Sequence, residues 1–238
     1  NRGFQVIELS KIKDPNPITD NLLGVTGLVD AKETINAICS YDKRSMIVDH
    51  YSIWEDWEKY LRPYVDKIIV IDDLANRKHD CDILIDQNWF KDPEGRYNKL
   101  LNNDCIKLLG PSFSLLRSEF AKTKKIVIPG VEKIESIFLF FGGTDPHNLT
   151  LKFLNILSDP KLQEIKVDVV IGQNNIYKDE VKKQIELRSH TYLHIQIENI
   201  SKIIVQADLG IGSVGINTWE RMCLGLSSLV VSFAENHL

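Results

Sequence analysis

The stretch whose residues are best suited to bind a ligand runs from Ala207 to Asn236 and contains a glycine turn between apolar runs. Leu209 to Ile211 is predicted to be a strand, and a helix is predicted to open near Thr218, after Gly212 and Gly215. Such a turn leaves free backbone N–H groups at the start of a helix, where the helix dipole also favours negative charge. Phosphate is the ligand that suits it best, although small residues at a strand-to-helix turn also serve packing alone.

A second glycine turn, Gly142-Gly143, follows the predicted strand Ile137 to Phe141. In a parallel sheet the two turns would lie side by side, and their combined backbone donors could hold a diphosphate without a metal. Glu220, one turn into the later helix, could accept hydrogen bonds from ribose hydroxyls or simply complement the helix dipole. Asp145 or Asn148 is expected to cap the helix that follows the earlier turn.

Polar residues also follow a strand in the first half of the chain, where Met46 to Val48 is followed by Asp49, His50 and Tyr51. Open α/β sheets bind ligands beyond the carboxyl ends of their strands. Tyr51, with its two neighbours, could orient or deprotonate a water or a sugar hydroxyl. The alternative is that His50 is a partly buried hydrogen-bonding residue and that Tyr51 packs under the next helix.

The elements that would position these residues alternate between apolar strands and helices, which predicts doubly wound parallel sheets. The pattern occurs twice, and a lysine- and proline-containing stretch from Ala121 to Glu135 separates the halves. We therefore predict two Rossmann-like α/β domains, residues 1–121 and 122–238, with a cleft between them. The predicted strands are Phe4–Leu9, Met46–Val48, Ile68–Ile71, Ile83–Asp86, Cys105–Leu109, Ile137–Phe141, Val167–Ile171, Leu193–Ile197, Leu209–Ile211 and Leu229–Val231.

The composition is that of a soluble globular protein, with 43% hydrophobic and 26% charged residues among 238. A net charge of -4 gives no reason to expect nucleic acid as a partner, and no apolar run is long enough to span a bilayer. The four separated cysteines are expected to be buried thiols in a reducing cytosol. The histidines lack metal-ligand spacing, and the sequence carries no signal for oligomeric state.

Taken together, five ordered motifs resemble those of the UDP-sugar hydrolase family of pseudaminic acid biosynthesis and of related polysaccharide-biosynthesis proteins. They cover nearly the whole chain, which makes the match far more specific than one glycine turn. The motifs are VDHY (Val48–Tyr51), DDLANRKHDCDILIDQN (Asp72–Asn88), LLGPSFSLLRSEF (Leu108–Phe120), FGGTDPHNLT (Phe141–Thr150) and ADLGIGSVGINTWERMCLGLSSLVVSFAEN (Ala207–Asn236).

The resemblance implies a glycosyltransferase-B fold, in which two Rossmann-like domains enclose a nucleotide sugar. It implies hydrolysis of UDP-2,4-diacetamido-2,4,6-trideoxy-β-L-altropyranose at the anomeric carbon, giving UDP and the free sugar, with no metal or other cofactor. The second domain would hold uridine and diphosphate, and backbone donors would meet the charge of the leaving group. Water would attack the opposite face of the sugar.

By matching position, Tyr51 and Asn236 fall on active-site residues of the family that contact the sugar or the attacking water. The UDP-binding surface would comprise Gly142, Gly143, Gly215, Asn217, Thr218 and Glu220.

The family's catalytic histidine lies in a GxGHxxR loop that has no counterpart in this sequence. Because the chain opens in what resembles the third strand region, we expect a first domain truncated at its start, weak UDP binding and poor hydrolysis. Val214-Gly215-Ile216-Asn217 replaces the usual GGST-like run, and AENH replaces AENQ. Two alternatives stay open: a glycosyltransferase of the same fold using a UDP-sugar, and a non-catalytic nucleotide-sugar binding module.

Overall fold

The computed structural model describes residues 3–9, 26–42, 44–123 and 133–232. The chain divides into two compact units, Asn1–Ser114 and Leu115–Leu238. Sequence reasoning set the boundary after residue 121, whereas the structural division precedes Phe120. Phe120 is 2% exposed and packs in the apolar core of the second unit, which explains why the short helix around it belongs there.

The first unit is built on a sheet of four parallel strands in the order β1-β2-β3-β4. Apolar residues from these strands and from the flanking helices form one core, in which Ile68 and Leu84 are fully buried. Its strands are β1 (Ser45–Val48), β2 (Lys67–Ile71), β3 (Ile83–Asp86) and β4 (Ile106–Leu109), and its helices are α1 (Gly27–Ile38), α2 (Glu55–Leu61) and α3 (Pro93–Arg96).

Helix α2 shows how the sequence orients a helix on this sheet. Acidic residues fill its first turn, where the helix dipole favours negative charge. Trp57 and Leu61, four residues apart, are buried against the core at 6% and 0% exposure. Trp54, in contrast, precedes the helix and is 56% exposed.

The predicted first strand, Phe4–Leu9, is not formed. Phe4 and Val6 are both 79% exposed, and no described strand pairs with this stretch. Strand propensity is realised only when a neighbouring strand completes the hydrogen-bond ladder, so an apolar run alone was insufficient evidence.

The second unit is built on five parallel strands in the order β7-β6-β5-β8-β9. From β5 the chain moves outward through β6 and β7, and then returns to the other side of β5 to form β8 and β9. The strands are β5 (Ser136–Phe140), β6 (Lys166–Ile171), β7 (Thr191–Ile195), β8 (Leu209–Ser213) and β9 (Ser228–Val231), and the helices are α4 (Ser118–Lys122), α5 (Leu149–Leu157), α6 (Lys178–Glu186), α7 (Ser201–Ile204) and α8 (Ile216–Cys223).

Central strand β5 is buried on both faces. Ile137 and Leu139 pack in one apolar core, and Phe138 packs in another. This alternation follows from the two-residue period of a strand. The two cores confirm the prediction of a parallel sheet covered by helices on both sides, and the two units confirm the predicted Rossmann-like α/β class.

The strand order reverses at β5, since β6 and β7 are added on one side of it and β8 and β9 on the other, and this creates a topological switch point between β5 and β8. Ligands of open α/β sheets bind in the crevice beyond the carboxyl ends of the strands at such a point. Phe140 pairs with Gly212 there, so the two glycine turns do leave adjacent strands, as predicted.

The cysteines differ from the expectation that all four are buried. Cys81 and Cys105 are buried in the first unit, with sulfur atoms 3.6 Å apart, whereas Cys39 and Cys223 are exposed. In the described ranges, no helix has both the length and the apolar character needed to cross a membrane.

Candidate functional site

The turn between β8 and α8 is the first element of the site. Helix α8 begins at Ile216, two residues before the predicted opening at Thr218. Gly215 immediately precedes it with φ +128°, a backbone conformation that other residues rarely adopt. A Cβ atom built at Gly215 would meet no atom within 4 Å, so the requirement for glycine is conformational.

The start of α8 offers unpaired backbone donors. The N–H of Thr218 donates to the carbonyl of Gly215 at 2.9 Å. Within the described part of the chain, the N–H groups of Ile216 and Asn217 have no acceptor. Together with the positive end of the helix dipole, these donors make the turn suitable for an anion.

The turn between β5 and α5 is closed by the protein itself. The carboxylate of Asp145, which is 2% exposed, accepts the N–H of Leu149 at 2.9 Å and that of Thr150 at 2.8 Å. This confirms Asp145 as the cap of α5. The carboxylate of Asp145 thus occupies the start of α5, whose first N–H groups are not free for an anion. The contribution of the Gly142-Gly143 turn itself to a diphosphate site stays a prediction.

The β5–α5 turn instead packs against the end of β6. Gly142 bends the turn with φ +91°, and the carbonyl of Gly143 accepts the N–H of Gly172 at 2.9 Å. A Cβ atom at Gly172 would lie 2.6 Å from that carbonyl oxygen, so only glycine fits this close approach of two backbones.

A cavity of about 280 Å³ opens beside the start of α8, at the carboxyl ends of β5 and β6. Its volume is near the lower end of the range of about 300–1,000 Å³ that is usual for small-molecule sites. Apolar side chains and backbone form most of its wall, and a few polar side chains converge on it. The lining residues are Arg117, Phe140, Gly143, Val170, Ile171, Gly172, Gln196, Ile197, Ile200, Asn217 and Glu220.

Glu220 is the buried acid of this cavity, at 5% exposure. Its carboxylate accepts hydrogen bonds from Arg117 Nη2 at 3.1 Å and Nε at 3.3 Å. Burial raises the pKa of Glu220, and the charge and hydrogen bonds of Arg117 act against that rise. Arg117 also forms an ion pair with Glu119 at 2.8 Å, so the guanidinium is held between two carboxylates.

The structure brings together three of the six predicted UDP-binding residues, since Gly143, Asn217 and Glu220 line the cavity. Gly142 and Gly215 shape the two turns and are not among the lining residues. The hydroxyl of Thr218 donates to the carbonyl of Ser213 at 3.3 Å, inside the β8–α8 turn. Sequence reasoning missed Arg117, Gly172 and Gln196, which also line the cavity.

In the first unit, Tyr51 follows β1 and is 50% exposed. Its hydroxyl donates to Asp73 Oδ1 at 3.1 Å, and burial together with this carboxylate raises the pKa of Tyr51 to about 12. At neutral pH Tyr51 is a hydrogen-bond donor, which fits orientation of a ligand better than proton abstraction. His50 Nδ1 accepts the N–H of Ser52 at 3.1 Å, a local turn contact.

Asp73 is held at the carboxyl end of β2 by neighbouring groups. Asn88 Nδ2 donates to its Oδ2 at 3.2 Å, and Arg96 Nη2 donates to its carbonyl at 2.8 Å. The same guanidinium lies 3.3 Å from the ring centroid of Phe90. Polar groups that follow β1, β2 and β3 thus meet at one edge of this sheet. Asn236, the second predicted catalytic residue, lies outside the described residues.

No group of three or more histidine, cysteine or acidic side chains in residues 3–9, 26–42, 44–123 and 133–232 is arranged to hold a metal ion.

Fold and site together define an α/β protein of two Rossmann-like units, with a ligand-sized cavity at the switch point of the second. The particular relatives are known from sequence. The chain is 28% identical over 205 residues to the UDP-2,4-diacetamido-2,4,6-trideoxy-β-L-altropyranose hydrolase of Campylobacter jejuni, covering 86% of this chain and 72% of the hydrolase. It is 25% identical over 130 residues to the spore coat polysaccharide biosynthesis protein SpsG of Bacillus subtilis, covering 54% of this chain and 36% of that protein.

An uncharacterised protein of Methanocaldococcus jannaschii is 28% identical over 236 residues, which are 96% of this chain and 44% of that protein. The chain thus spans less than half the length of this relative. No family model matches the sequence. Among solved structures, the apo structure of OtsA aligns with a TM-score of 0.48 at 11% identity, covering 87% of this chain and 62% of that chain.

Proposed function

We propose that this chain is a UDP-sugar hydrolase of the glycosyltransferase-B type, whose second unit binds UDP. The observation that supports this most is the buried carboxylate of Glu220 on a cavity beside the open start of α8. The resemblance to the Campylobacter jejuni hydrolase supplies the nucleotide and the reaction. The substrate proposed is UDP-2,4-diacetamido-2,4,6-trideoxy-β-L-altropyranose, used in the synthesis of a nonulosonate such as pseudaminic acid.

The cavity suits a nucleoside in three respects. Ile197 and Ile200 give it apolar wall for the uracil ring. Glu220 offers carboxylate oxygens to the two ribose hydroxyls, and two hydroxyls donating to one carboxylate form charge-assisted hydrogen bonds. The free N–H groups of Ile216 and Asn217 lie at the start of the same helix, where they would donate to the diphosphate.

The same donors explain how UDP would leave. Cleavage of the anomeric C–O bond transfers an electron pair to the β-phosphate oxygen, and the added negative charge is stabilised by donors already oriented in the ground state. Tyr51 and Asn236 are proposed to contact the sugar or the attacking water. For Tyr51, the raised pKa of about 12 argues against a role as base.

The experiment is to supply the chain with the UDP-sugar and no acceptor, and to measure UDP and free sugar by chromatography. Hydrolysis predicts equal amounts of the two products. Turnover that appears only after an acceptor is added would replace hydrolysis with glycosyl transfer. UDP binding without any turnover would make this chain a nucleotide-sugar binding module.

A further inference from the structure

Arg221 is the largest fully buried side chain of the molecule's described part, at 0% exposure. It lies on α8, and its long side chain points back toward the start of the helix, as helical side chains do. Two glycines of β8 make room for it. A Cβ atom at Gly210 would lie 2.7 Å from Arg221 Cδ, and one at Gly212 would lie 2.6 Å from Nη1.

The guanidinium contacts the β8–α8 turn from beneath. Its Nη2 donates to the carbonyl of Ser213 at 3.3 Å and to the hydroxyl of Thr218 at 3.3 Å, and Nε donates to Ser228 Oγ at 3.1 Å. Nη1 is buried, and no hydrogen-bond partner for it lies among the described residues. Among the described residues, the turn therefore has unpaired backbone N–H donors at Ile216 and Asn217 and an unpaired cationic donor, Arg221 Nη1, on the side of the sheet.

No carboxylate in the described residues forms an ion pair with Arg221. Glu220 is next to it in sequence and its charge raises the pKa of Arg221, but the Glu220 carboxylate is paired with Arg117. Burial lowers the pKa of Arg221 to about 10, so the side chain still carries its charge at neutral pH. A buried cation without a counter-charge destabilises a fold unless something else offsets it.

We propose that Arg221 is a positioning residue for the diphosphate of UDP: it holds the β8–α8 turn in place and supplies positive charge beneath it. This inference rests on the proposed binding of UDP by the second unit. Arg221 is fully buried and does not touch the ligand, so it acts through the turn and through its field. Coulomb attraction across a few ångströms of low-dielectric protein is strong enough to matter for a di- or trianion.

The neutral part of the nucleotide separates this role from a purely structural one. Uridine fills the cavity and reaches Glu220 but carries no phosphate, so it does not respond to the charge of Arg221. A residue that merely stabilises the fold would affect uridine and UDP in the same proportion, whereas a residue that positions the diphosphate affects UDP selectively. Because the amides of the turn are also proposed to bind the diphosphate, the comparison of Arg221→Gln with Arg221→Lys then separates the charge from the holding of the turn.

The test is titration calorimetry of the 238-residue chain with UDP and with uridine at low salt, for the wild type, Arg221→Gln and Arg221→Lys. We expect Arg221→Gln to weaken UDP about tenfold and uridine less than about twofold. Arg221→Lys, which keeps the charge, is expected to preserve the UDP-to-uridine affinity ratio within about threefold. Met222→Gln, at an exposed position of the same helix, is the control and should change neither ligand.

Equal loss of UDP and uridine in Arg221→Gln would overturn the inference and leave Arg221 a structural residue. If that variant does not fold, Arg221→Lys decides alone, since a tenfold drop in the affinity ratio with the charge retained would contradict the role of charge. A wild-type chain that binds uridine but gains nothing from the diphosphate would also overturn it. Absence of binding to both ligands would instead refute the proposed function itself, and this inference with it.

Discussion

The β5–α5 and β8–α8 turns follow adjacent strands and both contain glycines, but the buried side chains beside them carry opposite charges. The first is filled by the buried carboxylate of Asp145, which caps α5. The second has free N–H groups above it and the buried cation of Arg221 below. We therefore expect an anion from solution to be repelled by Asp145 at the start of α5 and attracted at the start of α8. Glycine content alone therefore does not identify an anion site, because the charge placed around the turn decides.

The two turns are also built on different steric grounds. Gly172 lets the β5–α5 turn rest on the end of β6, backbone against backbone. Gly210 and Gly212 make space for a side chain, Arg221, under the β8–α8 turn. We expect the close approach at Gly172 to matter for the stability of the fold, and the space at Gly210 and Gly212 to matter for the proposed anion site. Four changes, taken from the largest expected effect to the smallest, separate these roles.

Gly212→Ala should have the largest effect. Its Cβ atom would lie 2.3 Å from the carbonyl oxygen of Phe140 and 2.6 Å from Arg221 Nη1, so the central pair of strands must separate. We expect a loss of about 3 kcal/mol in the free energy of unfolding, measured by urea denaturation. Gly143→Ala is the matched control, because its Cβ atom would meet only Gly172 Cα at 3.8 Å. Comparable losses in the two variants would contradict this view of the turns.

Asp145→Ala should destabilise the protein without changing the proposed site. It removes two hydrogen bonds to the start of α5, and we expect a loss of about 2 kcal/mol in the free energy of unfolding. Affinity for UDP should change less than about twofold, because these donors do not belong to the anion site. A tenfold change in UDP affinity, in either direction, would show that the two turns act as one site after all.

Glu220→Gln should weaken UDP and uridine alike, by about tenfold, because two ribose hydroxyls would lose a charged acceptor. The preference for uridine over 2′-deoxyuridine should shrink as well, which competition titrations measure. Glu119→Gln is the control, since Glu119 also pairs with Arg117 but does not line the cavity. If Glu220→Gln binds as tightly as the wild type, Glu220 does not hold the ribose.

Arg117→Met should have the smallest effect at neutral pH, but it should alter the pH dependence. Burial raises the pKa of Glu220 and Arg117 opposes that rise, so the pKa climbs further when Arg117 is removed. When Glu220 is protonated it is no longer a charged acceptor for the ribose hydroxyls, so uridine affinity falls as the pH is lowered through its pKa. In the variant this fall should occur at a higher pH than in the wild type. Uridine is the suitable ligand because it has no phosphate to titrate. Coincident pH profiles would exclude this coupling.

Much of the fold could be predicted from the sequence because apolar runs and glycine turns are local signals. The strands of the second half were placed to within two residues, and the adjacency of its two glycine turns was predicted correctly. The predicted strand Phe4–Leu9 failed because pairing depends on a neighbour that the local pattern does not reveal.

Only part of the candidate site could be predicted, because a local sequence pattern does not reveal partners that are distant in sequence. Glu220 stood out because it follows a glycine turn at the start of a helix. Its partner Arg117 is 103 positions away, so only the tertiary structure joins them. The burial of Arg221 could not be predicted either, because a charged residue in a helix is usually solvated. The space for its side chain depends on two glycines of a neighbouring strand.

The most direct test of the contrast between the two turns is to follow backbone amide chemical shifts by NMR during titration with UDP and, separately, with uridine. We expect the amide signals of Ile216 and Asn217 to shift strongly with UDP and little with uridine, while those of Leu149 and Thr150 stay where they are. Large shifts at Leu149 and Thr150, with Ile216 and Asn217 unmoved, would contradict it.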